Sequence, residues 1–240
     1  MSQKSSGDQA RALLDSLSSI SEVATSDISE TPHQAVKEAL TAGLYNAVVT
    51  AITTFQQNSP DEMTAELFVC LGYTLNELGR YDEAVDALQE AIGLDPDYAA
   101  AHGNLGYALN ELGRHDEAED ALRTATKLDP DCAAAYANLG YALIKLEHYD
   151  EAEDALRTAI ELDPTLPYPH RLLAEVNLRR HPAATDAALS HLKDAFDRAG
   201  KDTKEPFLFS LYEIIKEFSS PVEAQKTLEE WSRPQDLTPV

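Results

Sequence analysis

Bulky and small residues recur along this chain with one long period. The triplet Leu-Asp-Pro ends at Pro96, Pro130 and Pro164, 34 residues apart each time. Asp97–Pro130 and Asp131–Pro164 align without a gap and share 24 of 34 residues, and Met63–Pro96 follows the same template. A period of this size marks a repeated supersecondary unit and is read before any single helix. With Ala65, Ala99 and Ala133 as position 1, bulky residues fall at positions 4, 7 and 11: Phe68, Leu71 and Leu75, then His102, Leu105 and Leu109, then Tyr136, Leu139 and Leu143. That spacing is one stripe of an α-helix, helix A. Small residues stand at position 8 (Gly72, Gly106, Gly140), position 20 (Ala84, Ala118, Ala152) and position 27 (Ala91, Ala125, Ala159). They let a second helix, helix B, approach closely, with Leu88, Leu122 and Leu156 as its bulky residue at position 24. Proline at position 32 ends helix B, because the residue before a proline is pushed out of the helical region. Asp116 with Glu119, and Asp150 with Glu153, have capping-box spacing at the start of helix B. Glu119–Arg123 and Glu153–Arg157 are i,i+4 pairs with the acid first, the favourable order.

Weaker copies flank the clear ones. Upstream, 29–62 carries Gly43, Tyr45, Val48, Ile52, Phe55 and Pro60 at matching offsets. Downstream, 165–202 fits after a two-residue insertion near His181–Ala184, with Leu173, Ala174, Ala188, Leu192 and Ala195 in column. A last degenerate pair, 203–231, caps the array and ends near Trp231; degenerate ends are expected where one side must face water. Residues 232–240 form a tail. Residues 1–28 are polar and Ser-rich, with Leu13, Leu14, Leu17 and Ile20 spaced for a short amphipathic segment. That segment reads either as a flexible tail or extra cap, or as a piece that docks in a groove. The core array is thus 63–96, 97–130, 131–164 and 165–202.

These columns resemble the tetratricopeptide repeat family: bulky at 4, Leu at 7, small at 8, Ala at 20, bulky at 24, Ala at 27 and Pro at 32, three times in register. The chain departs at position 11, where Leu75, Leu109 and Leu143 stand in place of the tyrosine common in the family. The resemblance implies an all-α fold, an α-α superhelix (solenoid) of about six helix-turn-helix repeats, in which helix A lines the concave surface. It also implies a protein-binding adaptor rather than an enzyme.

Composition narrows the partners. The formal net charge is −23, from 42 Asp plus Glu against 19 Lys plus Arg. Nucleic acid and anionic lipid are repelled by such a surface. The acidic, lysine-poor balance resembles proteins of salt-adapted organisms. No apolar run approaches the length of a membrane span, and the polar start lacks the pattern of a secretory signal. Cys70 and Cys132 lie nearly two repeats apart, too far to bridge, and free thiols point to the cytoplasm.

Helical geometry puts positions 2, 5, 6, 9, 12 and 13 of helix A off the core stripe. The candidate peptide groove is therefore Tyr73, Asn76, Asn104, Tyr107, Asn110, Asn138, Tyr141, Lys145, Arg171 and Arg179. Tyrosine offers contact area at low entropic cost plus a hydroxyl, and asparagine can bond both a backbone N–H and a carbonyl. The early end carries Glu66, Glu77 and Glu111; the late end carries Lys145, Arg171, Arg179 and Arg180. The two-carboxylate clamp by which some family members hold a chain terminus is incomplete, since its positions carry Val69, Gly103, Ala100 and Ala134. No phosphate loop, metal motif or catalytic constellation is present, so no cofactor is expected. Asp82/Asp86, Asp116/Asp120 and Asp150/Asp154 read as a solvated face of helix B. The partner is another protein or peptide; the alternative is a self-associating structural subunit.

Overall fold

The computed structural model describes residues 45–180. Expectations for 1–44 and 181–240 lie outside the described residues: the N-terminal segment, the first helix of the upstream pair, the second half of the fourth copy and the C-terminal pair. Among the described residues the chain forms eight α-helices: α1 (Tyr45–Asn58), α2 (Ala65–Glu77), α3 (Tyr81–Leu94), α4 (Ala99–Glu111), α5 (His115–Leu128), α6 (Ala133–Lys145), α7 (Tyr149–Leu162) and α8 (Pro167–Arg180). The fold is all-α, a tandem array of helix pairs. Helices α2, α4 and α6 are helices A and start at position 1.

The chain divides between Pro130 and Asp131 into two compact units. In the first, α1 packs on α2, α2 on α3 and α4, α3 on α4, and α4 on α5. In the second, α6 packs on α7 and α8, and α7 on α8.

Each pair closes on one contact. Leu88, Leu122 and Leu156 of helices B are fully buried. A Cβ on Gly72 would stand 2.4 Å from Leu88 Cγ, one on Gly106 would stand 2.3 Å from Leu122 Cγ, and one on Gly140 would stand 2.6 Å from Leu156 Cγ. Position 8 has no side chain because the leucine at position 24 fills that space. Burial of each leucine stabilises by about 2 kcal/mol. Ala84, Ala91, Ala118, Ala125, Ala152 and Ala159 line the same seams and are buried.

Sequence chemistry explains both turns. At the B–A turn, Asp95 is extended (φ −139°, ψ 95°), as are Asp129 and Asp163, each held so by the following proline. The Asp95 and Asp163 carboxylates accept the N–H of Asp97 (3.1 Å) and Thr165 (2.9 Å), closing Asx turns. At the A–B turn, Gly79 and Gly113 have φ of 70° and 74°, which glycine adopts without steric cost. The third copy places Glu147 there with φ 62°.

The capping boxes are a correction. Helices α5 and α7 begin one residue before Asp116 and Asp150, with Arg114 and His148 as N-caps, neither making a side-chain cap bond. Asp116 and Asp150 are therefore inside the first turn, where they complement the helix dipole. Arg114 instead forks onto Glu117 through two bonds of 2.7 and 2.6 Å, and Arg80 does the same with Glu83. The i,i+4 pairs Glu119–Arg123 (2.8 Å) and Glu153–Arg157 are formed.

Candidate functional site

At about 100° per residue, positions 2, 6, 9 and 13 of helix A share an arc of about 60° opposite the core stripe, whereas position 12 lies only about 40° from position 8. Helices α2, α4 and α6 follow that division. Tyr73 is 38% exposed, and Glu66, Glu77, Glu111 and Lys145 are also exposed. Tyr107, Tyr141, Cys70, Asn104 and Asn138 are half-buried.

Asn76 and Asn110 are corrections: both are buried, 4% exposed, and neither lines an open groove. Asn76 Nδ2 donates to the Asn104 carbonyl on the next helix A at 3.1 Å. Asn110 Oδ1 faces His115 Nδ1 at 3.3 Å. Position 12 borders the core stripe closely enough for the neighbouring chain to cover it. Val69, Ala137 and Ile144, on the same flank in positions 5 and 12, are buried too. In α8, Leu172 at position 6 and Glu175 at position 9 are buried, so this helix departs from the open-face pattern. Arg179 is exposed but donates to Glu175 Oε1 at 2.9 Å. Arg180 does not join the row of helix A cations, because it reaches back to Asp150 (2.6 Å) and Glu153 on α7.

In the first unit the remaining face consists of Tyr73 and Tyr107 with Asn104 between them in register. The Tyr107 ring meets Tyr81 edge-on, with centroids 6.2 Å apart. Burial, the Glu111 carboxylate and the hydrogen-bonded Tyr81 push the Tyr107 hydroxyl up to about 12. Burial, then Glu77 and Tyr45, raise that of Tyr73. Both hydroxyls are therefore neutral donors across physiological pH. Asn104 Nδ2 donates to the Ala100 carbonyl of its own helix at 2.9 Å, which fixes the amide and leaves Oδ1 as an acceptor. The Cys70 thiol is pushed up to about 11 by burial and then Glu66, so near neutral pH it is almost wholly in the unreactive thiol form.

In the second unit Asn138 and Tyr141 repeat the pairing one turn apart on α6. Lys145 Nζ stands 5.1 Å from the Tyr141 ring centre. Tyr168 was not singled out from the sequence, although position 2 belongs to the open columns. Its ring lies 6.4 Å from that of Tyr141, and Arg171 Cζ sits 5.1 Å from its centre.

Other chemistry is sparse. Asp82, Asp86, Asp116, Asp120, Asp150 and Asp154 are exposed on helices B. Cys70 and Cys132 are free thiols. Among the described residues no three His, Cys, Asp or Glu side chains gather as a metal site, and no helix is long and apolar enough to cross a membrane.

Helix pairs of this spacing, closed by a glycine–leucine contact and ended by proline, are tetratricopeptide repeats, and this chain carries an array of them. The sequence pattern of that family matches residues 75–139 and 111–176. Among solved structures, MamA (residues 41 to the end) from Desulfovibrio magneticus RS-1 is similar, with TM-score 0.60 and 20% identity over 80% of this chain and 95% of that one. The thermophilic tetratricopeptide-repeat protein TTC0263 of Thermus thermophilus gives TM-score 0.58 and 21% identity over 79% and 96%. Pseudomonas aeruginosa pilF gives TM-score 0.63 and 16% identity over 95% and 90%. At these identities the likeness is one of fold. No curated protein sequence matches the chain.

Proposed function

We propose that this protein is an adaptor that holds a peptide or helical segment of another protein on the open faces of its helices A. One observation carries the reading: Asn104 and Tyr107 in the first unit, and Asn138 and Tyr141 in the second, each stand three residues apart and half-exposed on the arc of their own helix A that faces away from its core. The Asn104 amide, with Oδ1 as an acceptor, beside the neutral Tyr107 hydroxyl suits the backbone of a bound chain, and the ring supplies contact area. The role proposed is binding, with the exposed carboxylate pairs of helices B read as a solvated acidic face. The free thiols suit a reducing compartment such as the cytoplasm.

Peptides selected by display against the immobilised protein test the proposal. Tyr107→Ala combined with Asn104→Ala is expected to weaken a selected peptide at least about tenfold, the scale of an interface hot spot. Selected peptides that bind this variant unchanged would refute the proposal. A selection that yields no binder, together with light scattering that returns a stable oligomer, would replace it with a self-assembling subunit.

A further inference from the structure

The cations of the second unit are not all used alike. Every other described arginine holds a carboxylate at salt-bridge distance; among the described residues Arg171 has none. Its i+4 neighbour Glu175 is the obvious candidate, but that carboxylate is taken by Arg179 through bonds of 3.1 and 2.9 Å. An acid placed before its base by four residues is the better helical order, so Glu175 pairs forward and Arg171 is passed over. Lys145, exposed at the end of α6, likewise has no carboxylate among the described residues.

Each of these cations rests on a tyrosine instead, Lys145 over Tyr141 and Arg171 over Tyr168, both at 5.1 Å, and the two rings are neighbours at 6.4 Å. Helices α6 and α8 thus display cation, ring, ring, cation on one face of the second unit. A cation–π contact at an exposed site is worth only about 0.5–1 kcal/mol. It orients the charge without neutralising it. In a chain of net charge −23, two oriented cations with no carboxylate partner among the described residues form a local exception to a strongly acidic composition.

We propose that this face takes an internal acidic segment of the partner protein. Its Asp or Glu side-chain carboxylates meet Lys145 and Arg171, and its chain lies over Tyr141 and Tyr168. The proposal rests on the peptide-binding reading above and adds the charge of the ligand. Carboxylates are preferred over a nucleic-acid backbone because two cations cannot offset the repulsion between a long polyanion and the rest of the chain.

Fluorescence anisotropy with a labelled, C-terminally amidated peptide of alternating glutamate and leucine tests it on the full chain. Binding is expected at low salt, falling at high salt. The same peptide with glutamine for glutamate is expected to bind at least about tenfold more weakly. Lys145→Gln with Arg171→Gln should cost a similar factor, and the charge-reversed pair Lys145→Glu with Arg171→Glu more, both with unchanged helical circular dichroism. Failure of the glutamate peptide to bind, equal binding of the glutamine peptide, or full binding by the double variants overturns the proposal. So does a requirement for a free terminal carboxylate in place of the amide, or equal binding of a single-stranded oligonucleotide. If the acidic probe fails while a display-selected peptide still depends on Tyr107, the acidic ligand falls and the adaptor reading stands; if no peptide binds, both fall.

Discussion

Gly106 and Gly103 stand in the same helix and differ in one respect, the space where a Cβ would go. At Gly106 that atom would lie 2.3 Å from Leu122 Cγ and 2.8 Å from its Cδ2; at Gly103 the nearest neighbour is Ala125 Cβ at 3.9 Å, an ordinary contact. Gly103→Ala should therefore stabilise by about 1 kcal/mol, the helix-propensity gain of alanine over glycine. Gly106→Ala makes the same gain but drives a methyl into a fully buried leucine, an overpacking cost of about 1–3 kcal/mol. Because both changes are glycine to alanine inside α4, propensity cancels in the comparison. Gly106→Ala should lie about 1–3 kcal/mol below Gly103→Ala. Leu122→Ala alone should cost about 2–5 kcal/mol. Adding Gly106→Ala to it should recover part of that loss, since the new methyl enters the vacated space. The assay is urea denaturation followed by far-ultraviolet circular dichroism. Repeat arrays unfold in neighbour-coupled steps, so the readout is the shift of the transition rather than one global free energy. Equal shifts for Gly106→Ala and Gly103→Ala, or strict additivity of Gly106→Ala with Leu122→Ala, would refute the claim that the glycine column exists to admit the leucine column.

Three further outcomes follow from the same structure. Glu147→Gly should raise the melting temperature, since a non-glycine residue at φ 62° carries a cost of about 1 kcal/mol that Gly79 and Gly113 avoid at the equivalent turns; a fall in melting temperature would contradict this. Cys70, with its thiol pushed up to about 11 by burial and Glu66, should react slowly with a thiol reagent at pH 8 in a Cys132→Ser background. Its rate should rise about tenfold per pH unit until the thiol ionises, because only the thiolate attacks; a rate already on its plateau at pH 8 would show the thiol is not shifted. Melting temperature should climb from low to molar salt, since screening relieves repulsion within a chain of net charge −23; a flat series would show that the charge is locally compensated.

The array of helix pairs was legible in the sequence because its determinants are local and repeated. Leu-Asp-Pro sets where helix B stops, the alternation of bulky and small columns sets which face is inside, and Ala65, Ala99 and Ala133 open their helices at position 1. The open arc was legible for the same reason at positions 9 and 13, where Tyr73, Glu77 and Lys145 are exposed. It failed at positions 5 and 12. A helical wheel locates a residue relative to its own core stripe but not relative to the next helix. Asn76 is buried by a bond to a carbonyl 28 residues away, and no local period encodes that contact. The capping boxes failed for a similar reason: the spacing was present, but the helix begins earlier, and Arg114 takes the acid at Glu117.

By itself, then, the sequence determined the class of fold, where helices B end in the clear copies and the overall charge, because each is the sum of short-range preferences repeated every 34 residues. Which residues remain available to a partner was decided only by tertiary structure. Glu175 had two arginines within reach along its helix and chose Arg179, and Tyr141 came to rest beside Tyr168 from another helix. Competition for a shared partner, and contact between side chains distant in sequence, depend on where the helices lie in space.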